Sequence, residues 1–115
     1  MFVDIDYRPL ILKKCDIIRS TPQLSRLVPD SLISSAENAI ILQSHCYSAI
    51  GCDLQDIEVL DRALRKLVDV DDVSMLFVAE VSMTYMDVEA ADAVIKWAAR
   101  ISHSQQCTPM FSVPY

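Results

Sequence analysis

The sequence predicts an α/β fold built on a largely parallel sheet, and three observations predict it. Short β-prone runs alternate with helical patterns in the order strand, helix, strand, helix, strand, helix. The run Ser74 to Val81, "SMLFVAEV", is almost continuously apolar, as suits a strand covered on both faces. An acid follows each β-prone run: Asp6, Asp53 and Glu80. In open α/β sheets that position, outside the carboxyl ends of the strands, is where ligands bind.

The elements follow in chain order. Phe2, Val3 and Ile5 in "FVDIDY" read as the first strand. "RPLILKKCDIIRS" reads as a helix, with Pro9 in the first turn, where its missing N–H costs nothing. Ile11, Cys15 and Ile18 recur at i, i+4, i+7 and form its apolar face. Pro22 and Pro29 bracket a loop or short turn. "AIILQSHC" and "CYSAIGCD" are two short β-prone runs. "DIEVLDRALRKLV" is the next helix, with Asp56 as its N-cap and Ile57, Leu60, Leu64 and Leu67 as its buried stripe. After the apolar run, "SMTYM" is a loop and Asp87 precedes the last helix. There Ala91, Val94, Ala98 and Ile101 share a face, and Trp97 belongs to the packing. Regular structure is expected over 1–104. The stretch 105–115 carries Pro109 and Pro114 and is expected to be an irregular tail.

Composition narrows the function classes. The 115 residues bound one domain, and a 52% hydrophobic content is enough for a real core. The net charge of −6 argues against a general binder of nucleic acid or anionic membrane, which needs a surplus of Lys and Arg. No run approaches the ~18 apolar residues of a membrane span. No secretory signal pattern is visible, which points to a cytoplasmic chain whose four cysteines are reduced thiols. His45, Cys46 and Cys52 match no zinc spacing, so no metal is expected. "DVDD", residues 69–72, reads as a solvated turn rather than a calcium loop, because further spaced oxygen ligands are missing. Ser25, Ser34, Ser35, His45 and His103 compose no triad. With one glycine, Gly51, no nucleophile-elbow motif is possible.

The three strand-end acids therefore hold the interest. A carboxylate in apolar surroundings is costly unless it is paired or hydrogen-bonded. Taken singly, such an acid is more often a helix cap or a solvated loop residue than a ligand contact. Taken together they suggest a nucleoside with positive charge. One carboxylate after an early strand accepts from both ribose hydroxyls. Another accepts from an exocyclic amine, and Glu80 suits a cationic group.

"FVDIDY", "GCDL" and "FVAEVSMTYM" followed by "ADAVIKWAA" resemble, in order and over about Phe2 to Ser104, the leucine carboxyl methyltransferase family. Asp4, Tyr7 and Val81 favour its tRNA-modifying branch, because the phosphatase-methylating branch tends to carry Glu, Phe and Cys there. The resemblance implies a partial class I, Rossmann-like, S-adenosylmethionine-dependent carboxyl methyltransferase. By carry-over, Asp6 is the cofactor acid, Asp53 and Leu54 the adenine-side pair, Glu80 the acid after the later strand, and Tyr85 the loop tyrosine near the substrate carboxylate. The implied substrate is a wyosine-type base of phenylalanine tRNA, in wybutosine formation by methyl esterification and methoxycarbonylation. The sister activity on the C-terminal leucine of protein phosphatase type 2A, or a non-catalytic truncated fragment, are the alternatives.

The family places a strand and a glycine-rich loop before the segment matching "FVDIDY", and Met1 stands there instead. The expectation is an internal piece of the domain that lacks the first strand of the sheet. Its exposed sheet gap would allow self-association, and the chain alone is expected to bind cofactor weakly or not at all.

Overall fold

The computed structural model describes residues 1–33, 37–80, 82–103 and 110–112. It divides into two compact units, Met1–Ala63 and Leu64–Tyr115.

The first unit opens with β1 (Phe2–Asp6) and α1 (Arg8–Ser20), followed by one helical turn, α2 (Pro22–Ser25). Pro9 stands in the first turn of α1, as its fixed φ allows. The expected face holds: Ile11 and Cys15 are buried and Ile18 packs against their cluster. The Thr21 N–H closes the helix on the Ile17 carbonyl at 3.1 Å. The strands β2 (Leu32–Ile33), β3 (Ile40–Gln43) and β4 (Tyr47–Gly51) complete a four-stranded sheet in the order β1-β4-β3-β2.

The sheet is mixed, which corrects the expected parallel one. β1 and β4 are parallel, whereas β4 and β3, and β3 and β2, are antiparallel. The reason is loop length. Only Ser44, His45 and Cys46 join β3 to β4, and three residues can make a hairpin but not a crossover. Along the parallel pair Phe2 lies beside Tyr47, Asp4 beside Ala49 and Asp6 beside Gly51. The core of this unit gathers Ile11, Cys15, Ile41, Leu42 and Ala49. Among the described residues β1 has one strand partner, β4.

α3 (Ile57–Leu67) runs across the division of the units. Asp56 caps it as expected, its Oδ1 accepting from the Val59 N–H at 3.3 Å. Leu60 and Leu64 of the expected stripe are buried, and Ala63 joins them.

In the second unit, β5 (Val78–Glu80) precedes one 3-10 turn (Ser82–Tyr85), α4 (Val88–His103) and β6 (Met110–Ser112). β5 and β6 pair in parallel, so this part is a β–α–β crossover. The expectation of a strand buried on both faces fails here. Leu76 and Val78 are 64% and 62% exposed while Phe77 and Ala79 between and beyond them are half-buried, so among the described residues only one face of this run is covered, with Phe77 against Trp97. Phe77 meets Trp97 edge-on at 5.4 Å, and Trp97 is buried with Val94, Ala98 and Ile101, as the helical pattern predicts. The expected irregular tail is corrected at Met110–Ser112. These three residues form β6, parallel to Val78–Glu80. Ser34, Ser35, Val81 and the expected boundary at Ser104 lie outside the described residues.

Candidate nucleoside site

Two of the predicted acids share one end of the first sheet. Asp6 closes β1 and stands in register with Gly51, the last residue of β4; Asp53 follows two residues later. Because β1 and β4 are parallel, both acids leave the sheet at its carboxyl end. A backbone hydrogen bond ties the two turns, from the Cys52 N–H to the Asp6 carbonyl at 3.0 Å.

Each carboxylate is half engaged. Asp6 Oδ1 accepts from the Tyr7 N–H at 2.8 Å, and Asp53 Oδ1 accepts from the Gln55 N–H at 2.9 Å. Their Oδ2 atoms accept no hydrogen bond among the described residues. One oxygen thus fixes the side chain and the other remains an open acceptor. Neither acid caps a helix: Tyr7 is the N-cap of α1, without a side-chain bond, and Asp56 caps α3. The capping alternative is thereby removed for both. Leu54, between the acid and the cap, is half-buried. The field here is negative. Burial first, and then the charges of Asp56 and Asp53, push the Cys52 thiol up to about 11.

The other two predicted residues belong to the second unit. Glu80 ends β5, is exposed, and offers its backbone carbonyl to the Ser82 hydroxyl at 3.4 Å. Tyr85 ends the 3-10 turn and is 86% exposed. A hollow of about 360 Å³ is lined by Arg65 to Asp71 and contains none of the predicted residues.

The remaining acid of "FVDIDY" does something the sequence did not reveal. Asp4 Oδ2 accepts from Lys14 Nζ at 2.5 Å and from the Tyr47 hydroxyl at 3.0 Å. Phe2 stacks on Tyr47 at 6.1 Å. Burial and the Asp4 charge raise the Tyr47 phenol far above its ordinary range. Asp4 is therefore a structural acid joining α1, β1 and β4, and the only hint in sequence was its position on the face of Phe2 and Asp6. Arg8 was also missed: its guanidinium donates to the Asn38 carbonyl at 2.7 Å, across thirty residues of chain. His45, Cys46 and Cys52 form no cluster, since Cys46 precedes β4 and Cys52 follows it. Among the described residues no three His, Cys, Asp or Glu side chains gather as metal ligands. No described helix is long and apolar enough to cross a membrane.

Fold and site together define an α/β segment with a parallel strand pair that presents two open carboxylate oxygens at its carboxyl end. No protein-family model matches the chain. It is 44% identical over 105 residues to tRNA wybutosine-synthesizing protein 4 of Emericella nidulans, covering 91% of this chain and 10% of that protein. The protein of the same name from Gibberella zeae is 43% identical over 109 residues, 93% of this chain and 11% of the relative. That of Saccharomyces cerevisiae is 33% identical over 107 residues, 90% of this chain and 15% of the relative. Over most of its length the chain is similar to one short segment of proteins named tRNA wybutosine-synthesizing protein 4. It spans about a tenth of the length of the first two relatives.

Proposed function

We propose that this chain is the nucleoside-holding segment of an S-adenosylmethionine-dependent carboxyl methyltransferase of class I type, acting in wybutosine formation on phenylalanine tRNA. The observation that carries the reading is the pair of half-engaged acids at the ends of adjacent parallel strands. Two open acceptor oxygens suit a ligand rich in hydroxyl and amino groups. Within the first unit Asp6 would take the ribose hydroxyls and Asp53 with Leu54 the adenine edge; by the family resemblance alone, Glu80 would serve a cationic group and Tyr85 a substrate carboxylate.

The bound cofactor supplies an electrophilic methyl group to a carboxylate that is already ionised at neutral pH. The residues therefore need to bind and orient rather than to move a proton. Holding two reactants in line is worth up to roughly 7–11 kcal/mol. The buried Cys52 thiol, pushed up to about 11, stays protonated and takes no nucleophilic part. The net charge of −6 suits a cationic cofactor and leaves the gripping of a polyanion to another surface.

The test is an amide-shift titration of the chain with S-adenosylmethionine and with adenosine. The expected result is weak, saturable shifts at Tyr7, Cys52, Asp53 and Gln55. Shifts scattered over α1 and α4, or none at saturating ligand, would remove the reading.

A further inference from the structure

We infer that Gly51 is a positioning residue for the nucleoside site: it sets the separation of the Asp6 and Asp53 turns. The inference rests on the proposed nucleoside reading and deepens it. Gly51 is buried at the last position of β4, between the two acidic turns. A Cβ built there would lie 3.0 Å from the Arg8 Cα, 3.3 Å from Ile41 Cγ1 and 3.4 Å from the Arg8 Cβ. The nearest of these is backbone in the first turn of α1, which cannot swing aside as a side-chain tip can. The role of this glycine is therefore close approach.

Three bonds converge on the same point. The Gly51 N–H donates to the Ala39 carbonyl at 2.8 Å, and the Cys52 N–H donates to the Asp6 carbonyl at 3.0 Å. The Arg8 guanidinium donates to the Asn38 carbonyl at 2.7 Å. β4 is thus pinned to the 38–39 loop on one side and to the Asp6 turn on the other. The Ile41 side-chain tip can give way, but the 3.0 Å contact with the Arg8 backbone can be relieved only by displacing the Tyr7–Arg8 start of α1 relative to β4. Asp6 precedes that start by one residue, so its open oxygen moves relative to Asp53.

The test compares wild type, Gly51→Ala and the core control Ile11→Val, titrated with adenosine and with 3′-deoxyadenosine. Ile11 follows Asp6 by five residues, but its side chain is fully buried in the core with Cys15, Ile41, Leu42 and Ala49. Wild type should prefer adenosine by roughly tenfold, the scale of one hydrogen bond to a charged acceptor. Gly51→Ala should lose that preference and bind both nucleosides alike. Ile11→Val should lower the urea midpoint and keep the preference. Equal loss in both variants would make Gly51 merely structural and overturn the inference, as would a preference retained in Gly51→Ala. Failure of wild type to bind adenosine at all would instead sink the underlying reading, and the inference with it. Should Gly51→Ala not fold, wild type decides through the Cys52 amide. Slow hydrogen exchange, slower still with adenosine, is expected; an unprotected Cys52 amide overturns the inference.

Discussion

The two ends of β4 present polar groups beside the same packed sheet and treat them in opposite ways. At the amino end the acids are tied to side chains distant in sequence. The Ser44 hydroxyl donates to the Tyr47 carbonyl at 2.6 Å and accepts from the Tyr47 N–H at 3.0 Å. Asp30 Oδ2 takes the His45 ring at 2.8 Å and the His45 N–H at 3.2 Å, and the Cys46 thiol donates to the Leu27 carbonyl. The Tyr47 hydroxyl goes to Asp4, which Lys14 also holds. At the carboxyl end, Asp6 and Asp53 each spend one oxygen on a neighbouring N–H and keep the other. Both ends satisfy the rule that buried polar groups find partners. Asp4 and Asp30 also keep an Oδ1 without a partner among the described residues, so what sets the carboxyl end apart is that its acids bond only to neighbouring backbone and tie no distant side chain.

That contrast can be broken most directly at Asp6. Asp6→Ala should weaken adenosine binding by about 10- to 100-fold, the equivalent of hydrogen bonds to a charged group, with little change in stability. Titration of amide shifts reads the first and urea denaturation the second; an unchanged affinity would erase the distinction between the two ends.

Asp4→Ala should do the reverse. It strands the half-buried Tyr47 hydroxyl and Lys14, at a cost of about 1–2 kcal/mol after allowing for solvent around Lys14. Adenosine affinity should be unaltered. Loss of affinity with intact stability would place Asp4 in the site after all.

Alkaline pH sharpens the comparison further. The Cys52 thiol is raised from 9.0 to about 11 in the folded chain, so its contribution to stability is whole below pH 9 and disappears as pH rises through 11. The raised Tyr47 phenol adds to the same decline above pH 10. Cys52→Ala should therefore show a shallower fall in melting temperature between pH 9 and 11 than wild type. Parallel curves would mean that the thiol is not held in a buried, negative environment.

The smallest effect belongs to the exposed His45. Its ring and backbone bonds lower the Asp30 carboxyl below its ordinary 3.8. A depressed acid stabilises the fold above that value and ceases to do so as pH falls through the folded one. His45→Ala should lower the melting temperature slightly at pH 6, and the difference should close in acid below pH 3.8.

Much of this was legible from residue order. The stripes of α1, α3 and α4 were visible because a helix repeats its apolar face within one stretch of chain. The Asp56 cap was visible for the same reason. Asp6 and Asp53 could be singled out because each follows a β-prone run, and that placement held for the first unit. The length of β5, the hairpin sense of β3 and the strand at Met110–Ser112 were not legible. Each depends on which strand lies alongside, and short apolar runs look the same whatever their neighbour.

By itself the sequence determined where helices lie, which acids end strands, and that one glycine serves the whole chain. These are local matters of periodicity and turn chemistry. Only the tertiary structure decided that Asp4 belongs to Tyr47, forty-three residues away, while Asp6 turns to the N–H of its neighbour Tyr7. It alone placed the first turn of α1 against Gly51. Two acids on one face of one strand are alike in sequence. They are told apart by what the parallel partner and the covering helix bring within hydrogen-bonding reach.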